Sequence, residues 1–380
     1  MQKKLIALAV AGLASTAAFA QTNVTIYGIV DYGYSYRFDD RGLNATNNTI
    51  SNANGPSSSS RLDSGIQSGN RLGFKGTEDL GNGLKAVFLL EQGFNLDTGT
   101  QGGGGDQMFN RQAYAGLSGN FGTAVGGRLY TPYYTMMLQY DPFANGTMGA
   151  YSNVWAPAAN SSGGTTTLLN PLRVDNAVAY ISPSFGGFTL TGAYANNAIG
   201  ADSTSNNSEN NTVYAIKGDF VAGGFTAGAN YHAIQAGTQL AAVEDVQNFT
   251  LGLGYDFKFM KLTGVYTWTE ADFSAAGVDS VTLNNYLLGA SAPFGKWTVK
   301  GSYIYSDGDS SNDAQQVALG VDYSLSKRTN FYSAYSWIDN SGVRMNGVGD
   351  GSNSGAYSAG NGYVAGAWQQ GFQVGLRHMF

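Results

Sequence analysis

The chain reads as an all-β protein, a sixteen-stranded antiparallel transmembrane β-barrel with short turns on one rim and long loops on the other. Three observations predict this. Apolar residues recur at period two, the connections alternate between short and long, and no segment past residue 20 offers the 18 or more consecutive apolar residues of a spanning helix. Composition points the same way. The 380 residues include 54 Gly, 24 Tyr and 20 Phe but only 7 Pro, and charged residues make up 12 %, against about 25 % in ordinary globular domains. Aromatics without proline favour strands.

The first twenty residues stand apart from that pattern. Lys3 and Lys4 precede an apolar core from Leu5 to Leu13, and Ala18-Phe19-Ala20 offers a small-residue cleavage site, the three parts of a secretory signal peptide. Residues 1–20 are therefore expected to be removed, leaving 21–380 as a single barrel domain. Without Lys3 and Lys4, 18 Lys and Arg face 26 Asp and Glu, a net charge of -8. An acidic balance argues against nucleic acid as a partner. Cysteine is absent, so an exported chain of this kind is held by backbone pairing and burial, not disulfides.

The first strand shows the alternation. Val24, Ile26, Gly28, Val30, Tyr32, Tyr34 and Tyr36 form one face, the more continuously apolar, while Thr25, Tyr27, Ile29, Asp31, Gly33 and Ser35 fall on the other, which holds the charge. In "NRLGFKG", Arg71 and Lys75 oppose Leu72 and Phe74. In "TAVGGRLY", Arg128 and Tyr130 oppose Val125 and Leu129. In a soluble sandwich the apolar face would form the core; in a membrane barrel it faces lipid and the polar face lines a wet lumen. Alternation alone leaves both possible.

The connections separate them. Seven short joints lie at 79–83, 119–122, 183–187, 221–224, 256–260, 293–296 and 326–328. Eight longer polar stretches lie at about 39–66, 97–109, 131–172, 197–211, 236–247, 273–280, 307–313 and 340–367. Fifteen connections join sixteen strands. An even count with one rim of tight turns is the plan of a bacterial outer-membrane barrel, whose closure leaves no backbone group unpaired in lipid. The final "FQVGLRHMF" fits it: Phe372, Val374 and Leu376 face lipid, and Phe380 sits in the aromatic girdle at the periplasmic rim.

Five stretches together resemble the general-diffusion porins of Gram-negative bacteria, of the neisserial and burkholderial type. They are "VTIYGIVDYGY" from Val24, "SGNRLGFKGTEDLGNGLKAVFLLEQGF" from Ser68, "NRQAYAGLSGNFGTAVGGRLYTP" from Asn110, "RVDNAVAYISPSFGGF" from Arg173 and the terminal "GLRHMF". The resemblance spans the whole mature chain. It implies a homotrimer in outer-membrane lipid and lipopolysaccharide, an inward-folded third loop in each barrel, passage of small hydrophilic solutes and ions, and no cofactor. It also implies that Phe380 is read by the barrel-insertion machinery. Arg71, Arg111 and Arg173 occupy motifs that supply the family's constriction arginines. Strand parity adds Lys75 and Arg128 to the lumen, although any of these cations could instead pair with Glu91 or Asp175.

Facing them, residues 132–172 hold one carboxylate, Asp141, and no Lys or Arg. One carboxylate against three guanidiniums predicts a mild anion preference, with Asp141 either a constriction acid or a turn residue before Pro142. Tyr130, Tyr133, Tyr134, Tyr140, Tyr151 and Trp155 could line a solute path in a substrate-selective channel, or pack the loop on the wall. Asp307, Asp309 and Asp313 are a weak divalent-cation candidate without calcium-loop spacing; no metal site is expected. With only His232 and His378 available and no nucleophile motif beside either, an enzyme is not expected. A secreted β-rich adhesin is the non-channel alternative.

Overall fold

The computed structural model describes residues 23–39, 57–102, 107–155, 171–198, 211–235, 244–272, 280–309, 312–342, 344, 346–349 and 366–380. The expected leader, 1–20, lies outside the described residues. Strands β1 (Asn23–Asp39), β2 (Ser57–Ser64), β3 (Arg71–Gly81), β4 (Leu84–Gly93), β5 (Gln112–Gly119) and β6 (Gly122–Tyr130) lead to helices α1 (Pro132–Tyr140) and α2 (Ser152–Trp155). Then come β7 (Arg173–Ile181), β8 (Phe188–Ala195), β9 (Thr212–Ala222), β10 (Phe225–Gln235), β11 (Asp245–Asp256) and β12 (Lys261–Asp272). The chain finishes with β13 (Ser280–Phe294), β14 (Trp297–Gly308), β15 (Ala314–Ser324), β16 (Thr329–Asn340) and β17 (Gln369–Met379).

From β3 onward each strand pairs antiparallel with the next, and β17 returns to β1 with Ile29 opposite Met379 and Asp39 opposite Gln369. The sheet closes on itself, so no edge needs protection. Its seventeen segments fill sixteen wall positions, because β2 and β3 share one. The upper half of β1 pairs with β2 (Tyr32 opposite Ser64) and its lower half with β3 (Ile29 opposite Arg71). This corrects the expectation of a first long connection over 39–66: Ser57–Ser64 is strand. Leu62 is its one large apolar residue, and the serines around it give no period-two alternation to announce a strand.

Between the two halves, residues 65–70 turn into the barrel. Asp31 holds them there, its Oδ2 accepting from the backbone N–H groups of Gln67 (2.7 Å) and Ser68 (2.6 Å), and its Oδ1 from the Tyr332 hydroxyl (2.5 Å). Gly65, at φ +76°, begins the turn where a side chain would be strained. Ile66 is fully buried, and its carbonyl accepts from the Thr147 N–H at 2.7 Å.

Along β11 the two faces separate cleanly. Asn248, Thr250 and Gly252 are buried on the inner side, while Phe249, Leu251, Leu253 and Tyr255 are exposed outward. Leu288, Leu319, Ile216 and Val374 extend the outward apolar band, and Phe121, Phe185, Phe259, Phe294, Trp297, Phe331 and Phe380 ring the short-turn rim. This is apolar-out, polar-in patterning with an aromatic girdle. Closure reaches the last residue: Gly28 and Phe380 exchange both backbone hydrogen bonds at 3.1 Å, and the Phe380 ring lies where a Cβ on Gly28 would stand.

Strand β6 departs from the expected parity. Val125 and Leu129 belong with an inward apolar cluster that includes Val174, Ala177 and Val213, and the register slips between Gly127 and Leu129. A bulge on β7, with Asn176 at φ +51°, adds a residue opposite Arg128 and re-aims the side chains around it.

Residues 131–155, after β6, fold into the lumen. Thr131 caps α1 by accepting from the Tyr134 N–H (3.1 Å), and Pro132 occupies the first helical position, a strong start for a short helix. Helix α1 lies against β8–β12 and α2 against β14 and β15. Tyr133, Met136, Met137, Tyr140, Met148, Tyr151 and Trp155 are all at most 2 % exposed, each worth about 1.5–3 kcal/mol if it packs like a core side chain.

Candidate functional site: the lumen constriction

The expected arginines come together on the wall where the inward loop leaves it. Arg71 opens β3, Arg111 immediately precedes β5 and Arg173 opens β7. Arg111 Nε lies 2.7 Å from Glu91 Oε1, with Arg71 Nη1 at 3.9 Å from the same oxygen; the Tyr27 hydroxyl donates to Glu91 Oε2 at 2.8 Å. Arg111 Nη2 donates to the Tyr130 hydroxyl (2.7 Å), and the Arg173 guanidinium carbon sits 5.0 Å from the centre of that ring. Arg71 Nε donates to the Gly69 carbonyl at 2.9 Å, tying the group to the 65–70 inset. Arg71 and Arg111 thus share one carboxylate while Arg173 sits on the neighbouring Tyr130 ring, leaving two positive charges in excess among the three guanidiniums and Glu91. Two Arg173 atoms, Nε and Nη2, are buried without a hydrogen-bond partner among the described residues.

Two other expected cations stand elsewhere. Lys75 is four residues further down β3, about 13 Å nearer the short-turn rim at strand rise. Its Nζ lies 5.3 Å from the Tyr27 ring centre, in a recess of about 280 Å³ shared with Thr25, Val87 and Tyr114. Arg128 donates through Nε to the Asn110 carbonyl (2.8 Å) and pairs with Asp175 through Nη1. Its charge is matched within its own pair.

Asp141 is not a pore-facing acid, which corrects one of its two expected roles. It is 4 % exposed, and its carboxylate accepts from the backbone N–H groups of Phe143 (2.9 Å), Asn145 (2.9 Å) and Tyr151 (3.3 Å). Burial pushes its pKa up to about 6, the three hydrogen bonds and Lys300 pulling the other way. The turn-residue alternative describes it: Asp141 pins the loop segment that follows α1. The loop aromatics Tyr133, Tyr140, Tyr151 and Trp155 are likewise buried against the wall and offer no exposed row to a solute.

Several tethers were not anticipated. Lys217 Nζ donates to Thr135 Oγ1 (3.2 Å), Lys261 Nζ to the Gln139 carbonyl (3.0 Å), and Arg344 Nη2 to the Val154 carbonyl (2.7 Å) and Ser306 Oγ (2.9 Å). Burial lowers the Arg344 pKa to about 10, with Asp313 raising it. Inward strand parity could have flagged Lys217 and Lys261; nothing in the sequence marks Arg344, which lies outside any strand.

The weaker candidates fall into structural roles. Asp309 accepts from the Thr282 N–H (2.7 Å) and Asp313 from the Tyr305 hydroxyl (3.1 Å). Among the described residues no group of three or more His, Asp or Glu is placed to hold a metal. His232 packs edge-on against Tyr133 at 5.4 Å between ring centres, and His378 shares a hydrogen bond with Thr329 Oγ1 at 2.8 Å.

A closed barrel with an apolar exterior, a polar interior and a loop narrowing its lumen defines a diffusion channel of the outer membrane. The chain belongs to the Gram-negative porin family, whose model matches residues 7–343. It is 34 % identical over the whole of both chains to outer membrane porin protein 32 of Delftia acidovorans. It is 28 % identical, again over both whole chains, to the major outer membrane protein P.IB of Neisseria meningitidis. Among solved structures it superposes on the anion-selective porin from Comamonas acidovorans with a TM-score of 0.78 and 30 % identity, covering 95 % of this chain and 100 % of that one. The protein is an outer-membrane porin, a channel and not an enzyme.

Proposed function

We propose that this porin passes small hydrophilic solutes and ions with a mild preference for anions, set by Arg71, Arg111 and Arg173. The observation that carries this is the excess of guanidinium over carboxylate around Tyr130: one Glu91 among three arginines. Guanidinium stays ionised at any working pH. A positive wall inside a low-dielectric shell focuses field into the aqueous gap and concentrates anions there. Two unit charges about 10 Å apart still interact by roughly 1.7 kcal/mol at an effective dielectric of 20. With Asp141 buried, the facing loop presents no carboxylate among its described residues to offset this.

The likeness to the anion-selective porin from Comamonas acidovorans supports the same sign of preference. Passage through a homotrimer, removal of residues 1–20 and recognition of Phe380 by the insertion machinery complete the proposal; the outward display of Phe380 supports the last of these. The test is the reversal potential of the purified protein in a planar bilayer under a KCl gradient. An anion-sign potential that shrinks in Arg71→Ala and Arg111→Ala is expected. A cation-sign potential in the unaltered protein overturns the assignment.

A further inference from the structure

Loop residues 136–143 run along the inner wall, and at four strands, β10, β11, β13 and β15, the wall beneath them is glycine. A Cβ built on Gly252 of β11 would stand 2.6 Å from Tyr140 Cδ2 and 3.0 Å from Met136 Cε. On Gly228 of β10 it would meet the same two side chains at 3.2 and 3.4 Å. On Gly289 of β13 it would fall on the Pro142 ring, and on Gly320 of β15 it would stand 2.7 Å from Phe143 Cε1. The contacts follow chain order on both partners, from Tyr140 to Phe143 and from β10 to β15. They also step down the wall: Gly252 is level with Leu287 through Val265, and Gly289 lies one inward position lower. Gly228 and Gly252 stand directly opposite each other; the descent begins after them, in the sense that strand tilt gives a loop running level.

We infer that Gly228, Gly252, Gly289 and Gly320 are positioning residues that form a seat for the loop and thereby set the width of the pore. The inference rests on the porin reading but concerns aperture, not charge. The reason is steric. Ordinary contact begins near 3.4 Å, so a methyl group at Gly252 or Gly320 requires a shift of about 0.7–0.8 Å somewhere. The wall cannot supply it, because β10, β11, β13 and β15 are each hydrogen-bonded to neighbours on both sides. The loop supplies it, and moves into the lumen. Asp141 makes the shift concerted, since its carboxylate fixes Phe143 and Asn145 relative to the end of α1.

The test substitutes Gly252→Ala and Gly320→Ala singly, with Gly192→Ala, whose Cβ would meet nothing within 4 Å, as the control. Single-channel conductance and liposome-swelling rates for two neutral sugars of different size are measured. The expected result is lower conductance and a loss of the larger sugar relative to the smaller in both seat variants, none in the control, and an unchanged sign of the reversal potential. Adding Phe143→Leu to Gly320→Ala removes the touching ring atom and should restore conductance. Wild-type conductance in inserted seat variants, or no restoration in the pair, overturns the inference. Should the seat variants fail to insert, Phe143→Leu alone is read: the shortened side chain lets the loop settle and conductance rises, and an unchanged value overturns it equally. A cation-sign potential in the unaltered protein, with sugar sieving changed in the seat variants as expected, would count against the arginine assignment and leave the seat intact.

Discussion

Replacing Asp141 by alanine should release the inward loop while leaving the barrel wall closed. The carboxylate accepts three backbone N–H groups at 2.9, 2.9 and 3.3 Å, in a site that is 4 % exposed. Leaving a buried donor unpaired costs about 1–3 kcal/mol. Counting only the two short bonds gives roughly 2–6 kcal/mol, and the middle of that range is close to a thousandfold in the local opening equilibrium. Hydrogen exchange read by mass spectrometry reports it directly: the amides of Phe143 and Asn145 should lose protection in Asp141→Ala, while those of β11 keep theirs.

Asp141→Asn retains one acceptor and should lose less. Because the side chain is sealed from the lumen, neither variant should shift the reversal potential as the arginine variants do. Protection unchanged in the alanine variant would refute the pinning role; a reversal-potential shift as large as that of Arg71→Ala would return Asp141 to the pore. The pH dependence has a definite sign. With a folded value of about 6, above that of a free carboxyl, the docked loop holds a proton that the released loop has given up. Docking is thus strongest in acid and weakens as pH rises through about 6, a dependence that Asp141→Asn abolishes.

Arg111→Ala strands Glu91 with Arg71 at 3.9 Å as its one remaining charged neighbour, and breaking a buried pair this way costs about 3–5 kcal/mol; a lower unfolding midpoint in detergent checks it, and Arg71→Ala should cost less. Arg344→Gln removes the charged anchor of Val154 and Ser306, so single-channel current should become noisier at unchanged reversal potential. Phe380→Ala empties the place of its ring over Gly28 and should slow barrel assembly in lipid, read as a larger heat-sensitive fraction on a gel. Calcium should leave thermal stability unchanged, since Asp309 and Asp313 serve a backbone amide and a tyrosine.

The barrel was legible because lipid enforces it: wherever a strand crosses the apolar band one face must be hydrophobic, and Phe249, Leu251 and Leu253 write that requirement at every second position. Where apolar residues are missing the signal is missing. Ser57–Ser64 carried no alternation and read as loop, although its backbone pairs with β1 along its whole length. Arg71, Arg111 and Arg173 were visible as motif residues, and the fold gathers them. The pairing of Arg128 with Asp175 was not legible, because it forms beside a bulge at Asn176, and one extra residue cannot be seen in a period-two count. Asp141 looked like a lone charge in an uncharged loop; its burial depends on the wall it is pressed against, which no local pattern encodes.

The 65–70 inset has a mechanical consequence for the channel. It carries Gly69 to Arg71 at one end and Ile66 to Thr147 at the other, so the charged wall and the loop segment beyond α1 are linked through a strut inside the lumen. The charged wall and the described part of the loop thus form one braced frame, like a grommet set in cloth. Such a frame resists deformation by an electric field, and the open-channel current should scale linearly with voltage over the range in which the barrel itself is stable.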